Sequence, residues 1–180
     1  MHHSLLAASP LLVCLLLAAT PEAPESDAAL IERNEAAAIA DLEAIISAEA
    51  AYQVANAGFY DKPPCLLRPS SCIPGYPAEA PTFLDEALAS FTIKDGYGRA
   101  FFTRPGTEKP GKDASPTSAG GYAVILWPDK VGKTGQRAFC GDADGTICFN
   151  EGGSMPNLSP EGRCPWEERE GKPAGCKLLN

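Results

Sequence analysis

Between Ile31 and Tyr52 apolar residues return at helical spacing: Ile31, Ala38, Leu42, Ile45 and Tyr52 share one stripe, with Ile39 and Ile46 alongside. Such a period marks a helix packed on one side. Glu32, Glu35, Asp41 and Glu43 mostly fall off the stripe. Ser26 and Asp27, behind Pro21 and Pro24, supply an N-cap and an acidic first turn, and Gly58 is a natural C-terminal stop. The expected helix is about twenty to thirty residues long, more than an ordinary globular helix. Its alanines favour it, because Ala loses no side-chain entropy in a helix and lets a neighbouring surface approach closely. Glu49 lies almost on the stripe, three residues before Tyr52 and four after Ile45. It either meets a strand arginine such as Arg99 or Arg137 or points along the stripe's edge into water. The edge position is preferred, since an unpaired buried carboxylate is costly.

Downstream the period is lost and then shortens. Residues 59 to 81 hold six prolines and no helical period, so a loop is expected. Thr82 to Phe91 reads as a short helix capped by Thr82, with Asp85 and Glu86 near its N-terminal end. Lys94 to Gly98 is turn chemistry, and Arg99 to Arg104 is the first strand. Residues 105 to 119, rich in Pro, Gly, Lys and Ser, make an exposed hairpin loop. Gly121 to Trp127 is the most apolar run of the mature chain and reads as a central strand. Arg137 to Cys140 and Thr146 to Phe149 then pair across a turn-rich connection ending in Asp144 and Gly145. From Glu151 onward the chain is rich in Pro and Gly, with Trp166 between Cys164 and Cys176. The fold class is α+β: one long helix on an antiparallel sheet of about four strands, with disulfide-closed loops.

The order of pieces carries a family resemblance. The strings NEAAAIADLEAIISAEAAY, FYDKPPC, FLDEALAS, DGYGRAFF, GYAVILWP and GQRAFCGDADGTICF follow one another from residue 34 to 149. This series resembles the globular domain of type IV pilins and pseudopilins, particularly the bacterial major-pilin-like proteins. The resemblance implies a helix laid across an antiparallel sheet, a variable loop between them, and function through protein contact. It places a pilin-like domain at residues 26–150 and leaves residues 151–180 as a disulfide-tied tail outside the match. The chain departs from the family before Asn34, where a pilin precursor carries a basic leader, a Gly-Phe-type peptidase site, a Glu five residues on and a continuous apolar helix. Instead Leu5 to Ala19 is an apolar run of fifteen residues interrupted by Ser9 and Pro10. That run is short for a membrane span and suits a secretory signal over residues 1–23, cleaved after Ala19 or Ala23. Its n-region lacks Lys and Arg, so a misread start is the alternative. Cys14 falls inside this segment, with Val13 where lipid modification needs a small residue.

Export fixes how the cysteines are read. Without residues 1–23, six of the seven remain, and an even number in an exported chain favours disulfides. Six cysteines allow fifteen pairings in principle. Proximity suggests Cys65 with Cys72, Cys140 with Cys148, and Cys164 with Cys176. None of the spacings is C-x-x-C, which argues for structural bridges over zinc or catalysis.

Charge and composition remove several function classes. A net charge of −8 disfavours nucleic acid and anionic membranes and favours a monomer. The roughly 157 residues left when 23 are removed from 180 suffice for a single core. The only histidines, His2 and His3, fall in the signal segment, so the mature chain has no imidazole for Ser-His or Cys-His catalysis. Glu32 with Glu35 reads as a solvated helix face, and Asp85 with Glu86 as helix-start electrostatics, leaving no carboxylate pair for glycoside hydrolysis. Gly132-Lys133-Thr134 resembles the end of a phosphate loop, but Trp127 stands where the first Gly belongs. Asp142 and Asp144 are weak calcium candidates, because Cys140 takes the first ligand position and no Glu falls at the twelfth. Asn157-Leu158-Ser159 matches a glycosylation sequon, read as a chance match in the bacterial chain that the resemblance implies.

The expectation is a non-enzymatic, exported, periplasmic or extracellular pilin-like protein with no cofactor and no membrane anchor in the mature chain. A protein partner is expected, as an accessory of type IV pilus or type II secretion machinery. The alternatives are a small-ligand or glycan module using the Cys65 to Cys72 loop with Tyr60, Tyr76 and Trp166, and a true pilin with a misread start.

Overall fold

The computed structural model describes residues 26–166 and 175–179, so the segment expected as a signal, with Cys14, lies outside the described residues. Helix α1 (Asp27–Ala55) spans 29 residues. Ser26 caps it by accepting a hydrogen bond from the Ala29 N–H at 3.2 Å. At the far end Asn56 donates its N–H to Tyr52 O, and Gly58, at φ +91°, turns the chain away in a conformation that costs glycine little. Two short helices follow, α2 (Pro63–Leu67) and α3 (Glu86–Ala89). The Pro-rich stretch is thus not all loop: Pro63 and Pro64 open α2, where a missing N–H removes no helical bond. The helix expected over Thr82 to Phe91 shrinks to one turn, because Asp85, not Thr82, caps it by accepting from the Leu88 N–H.

The strands are β1 (Tyr97–Arg104), β2 (Gly121–Pro128), β3 (Ala138–Asp142), β4 (Ile147–Asn150) and β5 (Lys177–Leu178). They form one antiparallel sheet in sequence order, β1-β2-β3-β4-β5. The fifth strand comes from the tail and was not expected from its Pro and Gly content.

Alternation divides β2 between two cores. Tyr122, Val124 and Leu126 pack with Phe139 beneath Ala38, Leu42, Ile45 and Tyr52 of α1. Ile39 and Ile46 sit at the margin of that interface, and Ile31 is half-exposed. Ile125, Cys140 and Cys148 point to the opposite face, where Cys164, Cys176, Trp127, Leu158 and Trp166 cover them. The tail therefore closes the outer face that a helix leaves open.

Two of the three proximity pairings are corrected. Cys65 bridges Cys72, but Cys140 bridges Cys164 and Cys148 bridges Cys176. Cys140 and Cys148 stand directly opposite each other in the β3–β4 register. Their side chains share the outer face, and each reaches out of the sheet to a tail cysteine with Cα atoms 5.7 and 5.6 Å apart. Sequence distance misleads here because the tail is laid back across both strands. Non-reducing peptide mapping should recover Cys140–Cys164 and Cys148–Cys176 linked peptides; a Cys140–Cys148 peptide would contradict this arrangement. Each bridge is expected to stabilise by about 2–4 kcal/mol.

Candidate functional site

The notable chemistry of this fold lies between α1 and the sheet, where four polar side chains of the helix are buried: Asn34, Glu35, Asp41 and Glu49. Glu35 and Glu49 complete an alternating three- and four-residue series with Ile31, Ala38, Leu42, Ile45 and Tyr52, so they occupy the stripe itself. The placing of Glu35 on a solvated face is corrected, as is that of Glu49 at the edge, and Asp41, off the stripe, is buried as well. Glu35 takes Arg137 by a two-pronged contact at 2.7 Å and also accepts the backbone N–H groups of Gln136 and Arg137, each at 2.9 Å. The same guanidinium lies over the rings of Phe139 and Phe149. Asp41 pairs with the fully buried Arg99 side chain and with Lys94, whose Nζ is 2.9 Å away. Asn34 donates to Thr134 O at 3.0 Å, which ties the Gly132–Thr134 turn to the helix and accounts for that string as a turn.

These pairs join charges that would each be costly alone. Glu35→Gln keeps one acceptor for the two backbone N–H groups and removes the ion pair. Its expected cost is about 1.5–3 kcal/mol, the range for a hydrogen bond to a charged group, read from thermal or urea melts. No change would mean that Arg137 finds another partner.

Glu49 has no such partner. The two arginines considered for it are committed elsewhere, Arg99 to Asp41 and Arg137 to Glu35. It is 0% exposed, and neither carboxyl oxygen accepts a well-formed hydrogen bond. Burial pushes its pKa up to about 9; the Asp61 N–H draws it down in part, and the Asp61 charge adds to the rise. Glu49 is accordingly a neutral acid at pH 7.

Beyond it, Asp61 anchors a buried polar knot at the C-terminal end of α1. Asp61 accepts from the Tyr52 hydroxyl at 3.2 Å, Thr117 Oγ1 at 2.8 Å and the Lys62 N–H at 2.8 Å. Asn56 accepts the Ser115 N–H at 2.7 Å and donates to Phe59 O and Ser118 Oγ. Burial, with Asp61 beside it, raises the pKa of Tyr52. The knot holds residues 115–118 and the start of the Pro-rich loop against the helix. This is a positioning role, and a sequence signal existed in Asp61 preceding Lys62-Pro63-Pro64.

The metal and catalytic candidates resolve in the same terms. Asp61, Cys65 and Cys72 lie within 4.8 Å of one another. The two sulfurs are joined to each other, which removes both thiolates that a zinc site would need. Asp142 is 1% exposed and spends its oxygens on the Asp144 and Cys164 N–H groups at 3.1 and 2.9 Å. Burial raises its pKa against the pull of those donors. Asp144 faces Arg163. The two aspartates therefore brace the turn and the tail. Of the other carboxylate pairs, Glu32 is exposed while Glu35 is buried, and Asp85 is a helix cap.

The aromatic residues considered for ligand binding do not form one platform. Tyr60 packs edge-on against Tyr122 with its hydroxyl donating to Ala143 O, and Tyr76 packs on Phe83 with its hydroxyl donating to Pro81 O. Trp166 is on the opposite face of the sheet, in the disulfide cluster. Among the described residues no helix is long and apolar enough to cross a membrane. Comparison with family models, curated proteins and solved structures returned no match.

Proposed function

We propose that this chain is an exported, non-enzymatic pilin-like domain that acts by contact with other proteins, as an accessory of type IV pilus or type II secretion machinery. The observation that carries the reading is the 29-residue α1 laid on an antiparallel sheet, ion-paired to it through Glu35 and Asp41. Glu35, Asp41 and Asn34 spend their polar groups on holding that helix in place. The tail and its two disulfides cover the outer face, which suits a domain that must stay folded in an oxidising compartment.

In-cell cross-linking in the native host tests it, followed by identification of the partner. Covalent capture of a pilus or secretion-system subunit is the expected result. Recovery of free chain from the medium, with no cross-linked partner, would overturn the assembly role. Intact chain retaining residues 5 to 19 in sheared surface filaments would instead establish a filament subunit.

A further inference from the structure

Among the described residues β2 alone pairs along strand β1, which leaves β1 an edge of the sheet. Parity along β1 is fixed at both ends. Gly96 O accepts the Asp129 N–H and Arg104 O accepts the Gly120 N–H, so even-numbered residues turn their peptide groups toward β2. Tyr97 turns the other way and exchanges both bonds with Lys94 in the preceding turn. Arg99, Phe101 and Thr103 therefore direct N–H and C=O outward, away from β2.

Those same three residues line a shallow groove of about 500 Å³. Its opposite wall is apolar, formed by Pro63, Pro64, Ala89 and Phe91. Phe91 stacks edge-on against Phe101 at 5.6 Å between centroids, which closes the floor. Natural edge strands are usually blunted by a proline, a bulge or a covering segment. β1 runs eight residues without a proline.

Charge selects the occupant. Only two charged side chains line the groove, Lys62 and Arg99, and Arg99 is neutralised by Asp41. Lys62 is exposed and its Nζ is in no ion pair among the described residues. The groove thus presents one uncompensated positive charge on a chain of net charge −8. A second copy of β1, reading YGRAFFTR, would bring two arginines and no acid to that site.

We infer that β1 accepts an extended segment of a partner protein as a sixth strand, with apolar side chains seated between Phe91 and Pro63–Pro64 and a carboxylate beside Lys62. Main-chain bonds to Phe101 and Thr103 give affinity, and the groove and Lys62 give selectivity. The inference rests on the protein-contact reading and names the surface it uses.

The test uses the exported chain and a synthetic eight-residue peptide alternating valine and threonine with two glutamates at one end. A matched peptide carries two lysines instead. Calorimetry should show binding of the acidic peptide, with Kd about tenfold weaker for the basic one. Amide exchange should slow at Phe101 and Thr103 in the complex. Thr103→Pro removes one outward N–H and no bond to β2, so it should abolish binding with the melting temperature unchanged. Lys62→Glu should reverse the preference between the peptides.

Absence of amide protection, or unchanged affinity in Thr103→Pro, would overturn the proposal. Self-association without peptide, lost in Thr103→Pro, would identify a second copy as the occupant and overturn the acidic partner. If the native-host cross-link persists in Thr103→Pro, the edge is refuted while the protein-contact reading stands; loss of every cross-linked partner in the parent refutes that reading itself.

Discussion

Leu42→Asp is expected to leave the domain without a cooperative melt, or with a melting temperature lowered by more than about 10 °C. Leu42 is 0% exposed and packs against β3. Opposite it β3 carries Gly141, and a Cβ added there would lie 3.1 Å from Ile46 Cδ1 and 3.3 Å from Leu42 Cδ2. No room exists for water to follow an aspartate into that contact. Losing the leucine costs about 2 kcal/mol of burial, and an unpaired carboxylate adds several more. The nearby cations give no relief, because Arg99 and Lys94 are held by Asp41. Ile45→Asp, also at a fully buried position, should behave alike, whereas exposed Glu43→Gln should melt with the parent. Thermal melts by circular dichroism decide it: three variants within error of the parent would mean that the stripe does not face a core.

The apolar half of this interface is legible in the sequence, and the polar half is not, for one physical reason. Counting apolar residues finds Ala38, Leu42, Ile45 and Tyr52 but skips Glu35 and Glu49, which stand at the same spacing. A carboxylate on a stripe is ambiguous until its partner is known, and Arg137 lies 102 residues away in the chain. The ends of α1 and the turns beside the first four strands were readable because caps and turns are local: Ser26 and Gly58 bracket α1, and Gly96 and Gly145 mark turns at positive φ. The disulfides were not, since pairing depends on where the tail is laid. Proximity works for Cys65 and Cys72, whose loop is short and stiffened by proline. It fails for Cys140 and Cys148, whose shared outward face becomes evident only with the β3–β4 register.

Glu49 gives the second large effect, and it appears as a dependence of stability on pH. The folded state holds this carboxyl protonated up to about pH 9, while the unfolded chain releases the proton near the ordinary value of 4.5. Between those limits the unfolded state binds fewer protons than the folded one, so stability falls as pH rises. The slope is about 1.4 kcal/mol per pH unit, full stability from this group being present below 4.5 and lost through pH 9. The only histidines in the chain are His2 and His3, and Asp142, whose pKa burial also raises, adds a fall common to parent and variant. Glu49→Gln keeps the size and polarity of the side chain and removes the titration. Urea melts from pH 5 to pH 9 should show the parent weakening steadily and Glu49→Gln holding nearly flat, so that the variant becomes the more stable of the two toward alkaline pH. Glu49→Ala should instead be destabilised at every pH, since it leaves a cavity beside Tyr52 and Tyr122. Parallel pH profiles for parent and Glu49→Gln would show that Glu49 is ionised in the folded chain. In that case a cation must reach it, and the assignment of Arg99 and Arg137 to Asp41 and Glu35 would have to be revised.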